Sequence, residues 1–217
     1  MYDPVFQQKL AALPKEQRKA YEKAADQLGS EVRAIGFPSP EAIEKLFSTR
    51  PKVSIAYNEE LLKIARKLGE RRAEAIAIGE LSLAYARLGD LRQAISFFEK
   101  HLEIARELGE QQWVASDLNN LANAHLKLGY GSKAIGYYEQ SLATAREAND
   151  INWIAMQSFN IASVYKDQED FERALPMMQQ AVEIWEKTGN SSLRQAKKLM
   201  KEIQKKTTMK PSKKWWW

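Results

Sequence analysis

LLKIARKLGE at residues 61–70 returns as HLEIARELGE at 101–110, with seven of ten residues identical at a spacing of 40. A chain that repeats at such a period is confined to few architectures. Each copy is one supersecondary unit whose apolar face is buried by its neighbour. Extending the register gives three consecutive blocks, 71–110, 111–150 and 151–190. The first two share 12 of 40 positions, mostly apolar or Ala/Gly. Unrelated charged helices would not keep small residues in phase.

Each block carries two helical patterns around a short break. In the second block Leu118, Leu121, Ala122 and His125 follow the i, i+3, i+4, i+7 rhythm of one helical face. Gly129 then permits a helix-ending turn. The next pattern places Ala134, Ile135, Tyr138 and Leu142 in the same rhythm. Leu88-Gly89-Asp90 breaks the first block, with Asp90 suited to cap the following helix. The third block breaks at Gln168-Glu169-Asp170 without a glycine, so its turn is less sharply specified. Ala94, Ala134 and Ala174 mark where paired helices approach closely.

This pattern resembles the tetratricopeptide repeat. The family signature is Leu-small-x-x-Tyr, then Gly-Asp, then Ala-x-x-x-Phe. The first block answers it with Leu81-Ser82, Tyr85, Gly89-Asp90, Ala94 and Phe98. The second offers Leu121-Ala122, His125, Gly129, Ala134 and Tyr138; the third Ile161-Ala162, Tyr165, Asp170, Ala174 and Met178. The usual proline near the repeat end is absent, and Arg106, Arg146 and Glu186 stand there. With its 40-residue period the chain is similar to the long-helix variant of Pins-type scaffolds and kinesin light chains. The resemblance implies an all-α fold, a right-handed α-solenoid of antiparallel helix pairs. It also implies a non-catalytic adaptor that takes a peptide segment of a partner protein in a concave groove.

The expected organisation follows the blocks. Residues 1–51 form an N-terminal helical extension, with a helix over 14–35, a turn at 36–40 and a short helix over 38–51. Residues 52–190 hold the repeats: a half repeat at 52–70, then 71–110, 111–150 and 151–190. Residues 191–206 read as a basic capping helix, and 207–217 as a flexible Lys/Trp tail.

Asn119, Asn120 and Asn123 crowd one helix although Asn is a poor helix former. On a helical wheel they lie with Ser116 and Lys127 opposite the apolar stripe. The first helix of each pair lines the concave side of such a stack, which points these amides at the groove. An amide can donate and accept, so it can bind peptide backbone whatever the side chains. The third block contributes Met156, Phe159, Asn160, Ser163 and Lys166 to the same surface, and the first contributes Arg87. Lys127, Lys166 and Arg87 can pair with acidic groups on a ligand. The Lys-then-Asn spacing of the carboxylate-clamp subtype is not matched, because Gly79 and Leu83 occupy its positions in the leading block.

Charge and composition narrow the function further. Residues 1–70 hold 12 basic and 10 acidic side chains, residues 71–190 hold 12 and 17, and residues 191–217 hold 9 and 1. The repeat body is therefore mildly acidic and unsuited to nucleic acid. No apolar run is long enough to span a membrane, the start lacks a signal-peptide pattern, and cysteine is absent. A cytoplasmic location is the expectation. His101 and His125 occupy packing positions, no Ser/His/Asp set can be assembled, and the acidic run 167–172 lacks the spacing of a calcium loop. No catalysis, cofactor or metal is expected. Trp113 and Trp153, one period apart, read as packing between repeats. Trp215, Trp216 and Trp217 cannot all face one core. With Lys213 and Lys214 they make a cationic aromatic tail suited to an anionic membrane surface, to a partner, or to the groove of another copy. A membrane-associated or self-assembling protein driven by this tail is the alternative to the adaptor.

Overall fold

The computed structural model describes residues 48–209. Among the described residues eight helices follow in order from Pro51: α1 (Pro51–Leu68), α2 (Arg71–Leu88), α3 (Leu91–Glu107), α4 (Gln111–Lys127), α5 (Gly131–Glu147), α6 (Ile151–Asp167), α7 (Phe171–Thr188) and α8 (Leu193–Met209). No strand occurs among the described residues. The 40-residue blocks are the helix pairs α2/α3, α4/α5 and α6/α7. The chain divides into two compact units, one ending at Glu110 and the other starting at Gln111. In the first unit, α1 packs on α2 and α2 on α3; in the second, each helix from α4 to α8 packs on the next. The helices expected over 14–35 and most of 38–51, and the tail beyond 209, lie outside the described residues.

The small residues explain the close pairing. Ala94, Ala134 and Ala174 are fully buried, and each lets the second helix of its block approach the first. In the first unit Gly79 does the same. A Cβ there would stand 3.2 Å from His101 Nε2, so the buried ring of His101 rests on bare helix backbone. The core of the second unit is continuous from Ala122 through Tyr138, Ile161, Met178 and Trp185 to Ile203 on α8.

The turns use the chemistry their residues offer. Asp90, Asp150 and Asp170 each accept a hydrogen bond from the backbone N–H three residues on, capping α3, α6 and α7. Gly129 takes φ 84°, the left-handed region that glycine enters without steric cost. The third block has no glycine at its turn, and Glu169 adopts φ 59° there instead. The turn keeps the bonds of the glycine turns: Glu169 N–H donates to Lys166 O at 2.9 Å and Asp170 N–H to Tyr165 O at 2.8 Å, as Gly129 N–H does to Leu126 O and Tyr130 N–H to His125 O, each at 2.9 Å. The turn survives without the residue that normally makes it.

Helix α8 corrects the expected boundary between capping helix and tail. It runs to Met209, three residues past the expected end at 206. Thr207 and Thr208 continue it because their hydroxyls donate back to Ile203 O at 2.9 Å and Gln204 O at 3.2 Å.

Candidate functional site

The asparagine helix is α4. Its apolar stripe, with Leu118, Leu121 and Ala122, is buried, while Asn119, Asn120 and Asn123 are half-buried on the other side. Two of the three are tied into the fold. Asn119 Oδ1 accepts from Gln157 Nε2 at 3.2 Å and from Asn160 Nδ2 at 3.3 Å, which joins α4 to α6. Asn123 Oδ1 accepts from the buried Tyr138 hydroxyl at 2.5 Å, which joins α4 to α5. The carbonyl ends of these amides are thus spent inside the protein, and the NH2 ends remain as donors at the surface. Asn120 is half-buried beside them.

Helix α6 continues this surface. Met156, Phe159, Asn160, Ser163 and Lys166 are all half-buried. The Ser163 hydroxyl donates to Phe159 O at 2.8 Å, so its proton is used within the helix. Lys166 pairs with Asp167 at 3.0 Å. Ser116 is half-buried and Lys127 exposed on α4. Arg87 is exposed on α2, in the first unit, and is not among the residues brought together in the second. The tail residues Lys213, Lys214 and Trp215 to Trp217 lie outside the described residues.

Two further connections hold α6 against its neighbours. The Trp153 indole donates to Ser141 Oγ at 2.9 Å, and the Ser141 hydroxyl donates to Ala115 O at 2.9 Å. This relay crosses α6, α5 and α4 through a fully buried serine. Ser158 donates to Gln180 Oε1 at 2.7 Å on α7. Ser141→Ala leaves the Trp153 N–H without its acceptor and is expected to lower stability by about 1–2 kcal/mol. Urea unfolding of the full chain reads this, and an unchanged midpoint would show the relay to be incidental.

Beside the asparagine face lies a cleft of about 360 Å³. Its aromatic lining is Trp153, Phe159 and Trp185, with Met156 adjoining. Asn152, Asn160, Asn190 and Gln195 supply amides, and Ser192 and Asp150 complete the lining. Phe159 and Trp185 meet at 5.4 Å between ring centroids, tilted by 45°. Trp185 is 4% exposed, and its buried Nε1 has no hydrogen-bond partner. The Asn190 side chain accepts from Ser192 N–H at 2.8 Å, shaping the turn that brings Ser192 and Gln195 to the rim.

Sequence reading located Met156, Phe159 and Asn160 but not Asp150, Asn152, Trp185, Asn190, Ser192 or Gln195 as neighbours of theirs. It also missed Gln157, which is fully buried and carries the bond to Asn119. One signal for Gln157 was available. Asp117, one period earlier, is likewise a polar residue on a buried face.

The tetratricopeptide repeat family model matches residues 48–107, 73–147 and 113–187, and the chain belongs to this family. No curated protein matches it by sequence. Among solved structures, the apo form of RapI superposes with a TM-score of 0.68 at 19% identity, over 89% of this chain and 57% of RapI. A Rap protein complexed with competence and sporulation factor gives 0.59 at 16% identity, over 91% of this chain and 57% of that one. The chain thus spans little more than half the length of these Rap proteins. The TPR-like repeats of a putative kinesin light chain from Podosopora anserina give 0.59 at 17% identity, over 89% and 92%. At these identities the likeness is one of fold. That fold is generally a non-catalytic scaffold for protein–protein interaction.

Proposed function

We propose that this chain is a non-catalytic adaptor that binds a peptide segment of a partner protein on the α4/α6 face of its second unit. The observation that carries the reading is the cleft beside the asparagine row. It offers an aromatic floor for an apolar side chain, and the amides of Asn152, Asn160, Asn190 and Gln195 for peptide backbone. The outward NH2 groups of Asn119 and Asn123 extend the row of donors along α4. That a Rap protein has been crystallised with competence and sporulation factor supports a protein or peptide ligand for a fold of this kind. The chemistry favours a segment with one aromatic or large aliphatic anchor and extended backbone around it. Ser116, Asn120, Ser163, Lys127 and Lys166 flank the path, and Arg87 belongs to the other unit. The cysteine-free composition accords with action in the cytoplasm.

The test is selection of peptides from a random phage-displayed library on the full chain. Binding of the selected peptides is then compared on Phe159→Ala and on Asn152→Trp. The first variant removes floor; the second fills the mouth from an exposed position and spares the core. Selected peptides are expected to share an apolar anchor and to bind both variants at least about tenfold more weakly, near 1.4 kcal/mol. Equal affinity for all three proteins would show that peptides bind elsewhere.

A further inference from the structure

We propose that Arg194, Lys198, Lys201 and Lys205 on α8 form a stripe that docks the protein on the anionic headgroups of a phospholipid membrane. The stripe is separate from the cleft, since none of the four residues lines it.

The stripe follows from the spacing. The four cations stand at i, i+4, i+7 and i+11 of one helix. At ~100° per residue they fall within about 60° of arc, and at ~1.5 Å per residue they run about 16 Å along the axis. All four are exposed. Ala196 and Ile203, fully buried, lie on the opposite side, in the core that α8 shares with α7. Lys197, at the edge of the stripe, is held by Glu186 at 2.7 Å. The four stripe residues make no ion pair or hydrogen bond among the described residues. Helix α8 carries six basic side chains and one acidic one, Glu202. Like charges three or four residues apart oppose each other on a helix, so the row works against α8 until something outside neutralises it.

The chemistry of the row selects the partner. A protein interface is built on an apolar centre depleted of charge, and every exposed side chain from Arg194 to Thr208 is polar. The apolar side of α8 is already spent on the core, so the helix cannot lie within a bilayer as an amphipathic segment does. Electrostatic attraction from outside is what remains. Five of the six cations are lysines, point charges without the planar fork that grips a single phosphate. Such charges suit a surface of many interchangeable headgroups. The row is straight, so a flat surface meets all four charges at once, whereas the backbone of a duplex curves away from it. Charge also sets the orientation. Residues 111–190 hold 6 basic and 10 acidic side chains, while 191–217 hold 9 and 1. An anionic surface therefore attracts α8 and repels the rest of the second unit. The sequence beyond α8 adds Lys210, Lys213 and Lys214 and then three tryptophans, a residue favoured at membrane–water interfaces.

The test is co-sedimentation of the full chain with two kinds of vesicle, phosphatidylcholine alone and phosphatidylcholine mixed with phosphatidylserine. Each cation near an anionic surface is worth about fivefold in partitioning. The triple variant Lys198→Gln, Lys201→Gln, Lys205→Gln is therefore expected to bind the mixed vesicles about 100-fold more weakly than wild type. A second triple variant, Arg92→Gln, Arg106→Gln, Arg146→Gln, removes the same charge from exposed positions on α3 and α5, and is expected to stay within about threefold of wild type. Added salt is expected to weaken the binding. All six positions are exposed, and circular dichroism checks that both variants keep the fold. Equal losses in the two variants would show that net charge alone matters, and would overturn the stripe. Equal binding of wild type to both kinds of vesicle, or to neither, would overturn it as well. So would full binding by the stripe variant together with loss on changing Trp215, Trp216 and Trp217 to Ala, which assigns docking to the tail. Stripe-dependent binding of a single-stranded oligonucleotide, without binding to the mixed vesicles, would assign the row to nucleic acid instead.

Discussion

Tyr138→Ala is expected to lower the unfolding free energy of the second unit by about 3–5 kcal/mol, the range for deleting a buried aromatic side chain. Tyr138 is 2% exposed and sits in the core between α4 and α5. The change leaves a cavity and also removes the hydroxyl that Asn123 accepts from. Tyr138→Phe separates the two effects, because it keeps the ring and loses only the hydrogen bond, for about 1 kcal/mol. The phenol adds a dependence on pH. Burial pushes its pKa up to about 12, above the ordinary value near 10. The folded state thus holds its proton where the unfolded state has lost it. The wild type carries this contribution in full below pH 10 and loses it as pH rises toward 12, by an amount of order 2 kcal/mol. Chemical unfolding at pH 9 and pH 11.5 should show a steeper loss for wild type than for Tyr138→Phe. Parallel losses would mean that the phenol ionises freely in the fold.

Asn119→Ala is expected to cost about 2 kcal/mol even though Asn119 is half-buried on the proposed binding surface. Gln157 is fully buried and its Oε1 already lacks a partner. Removing Asn119 would take the acceptor from its Nε2 as well, leaving the whole amide unsatisfied in the core. Gln157→Met makes the opposite prediction. It keeps the length of the side chain, removes the orphaned oxygen, and leaves Asn119 its bond from Asn160. Stability is expected to stay level or to rise by about 1 kcal/mol. Thermal unfolding of the three proteins checks both. Equal losses for the two variants would show that the amide pair acts as a unit. A binding experiment built on Asn119→Ala alone would therefore confuse lost contact with lost structure, and Asn152→Trp is the cleaner probe.

These two cases show what a repeat makes legible in a sequence. The helix pairs could be read because the period keeps Ala94, Ala134 and Ala174 in phase, and close helix approach tolerates little else there. Asp90 could be read as a cap because capping is local: its acceptor and donor are three residues apart. The asparagine row was legible as a direction on a helical wheel and no more. The wheel gives the angle of Asn119 and Asn123, yet the hydrogen bonds that use their oxygens come from Gln157 and Tyr138, 38 and 15 residues away. The cleft was less legible still. Trp185 lies on the second helix of its block, and Asn190 and Ser192 lie in the turn before α8, so no single periodicity joins them to Phe159. Thr207 and Thr208 misled for a related reason. They look like chain leaving a helix, whereas their hydroxyls find carbonyls one turn back.

The central claim, that the α4/α6 face and its adjoining cleft receive a peptide, is tested most directly by hydrogen exchange on the full chain with and without a selected peptide at saturation. Added protection is expected in two segments, near 116–127 and 150–160, together with the turn at 190–195 that forms the cleft rim. Protection confined to the exposed faces of α5 and α7, or spread evenly over both units, would contradict it.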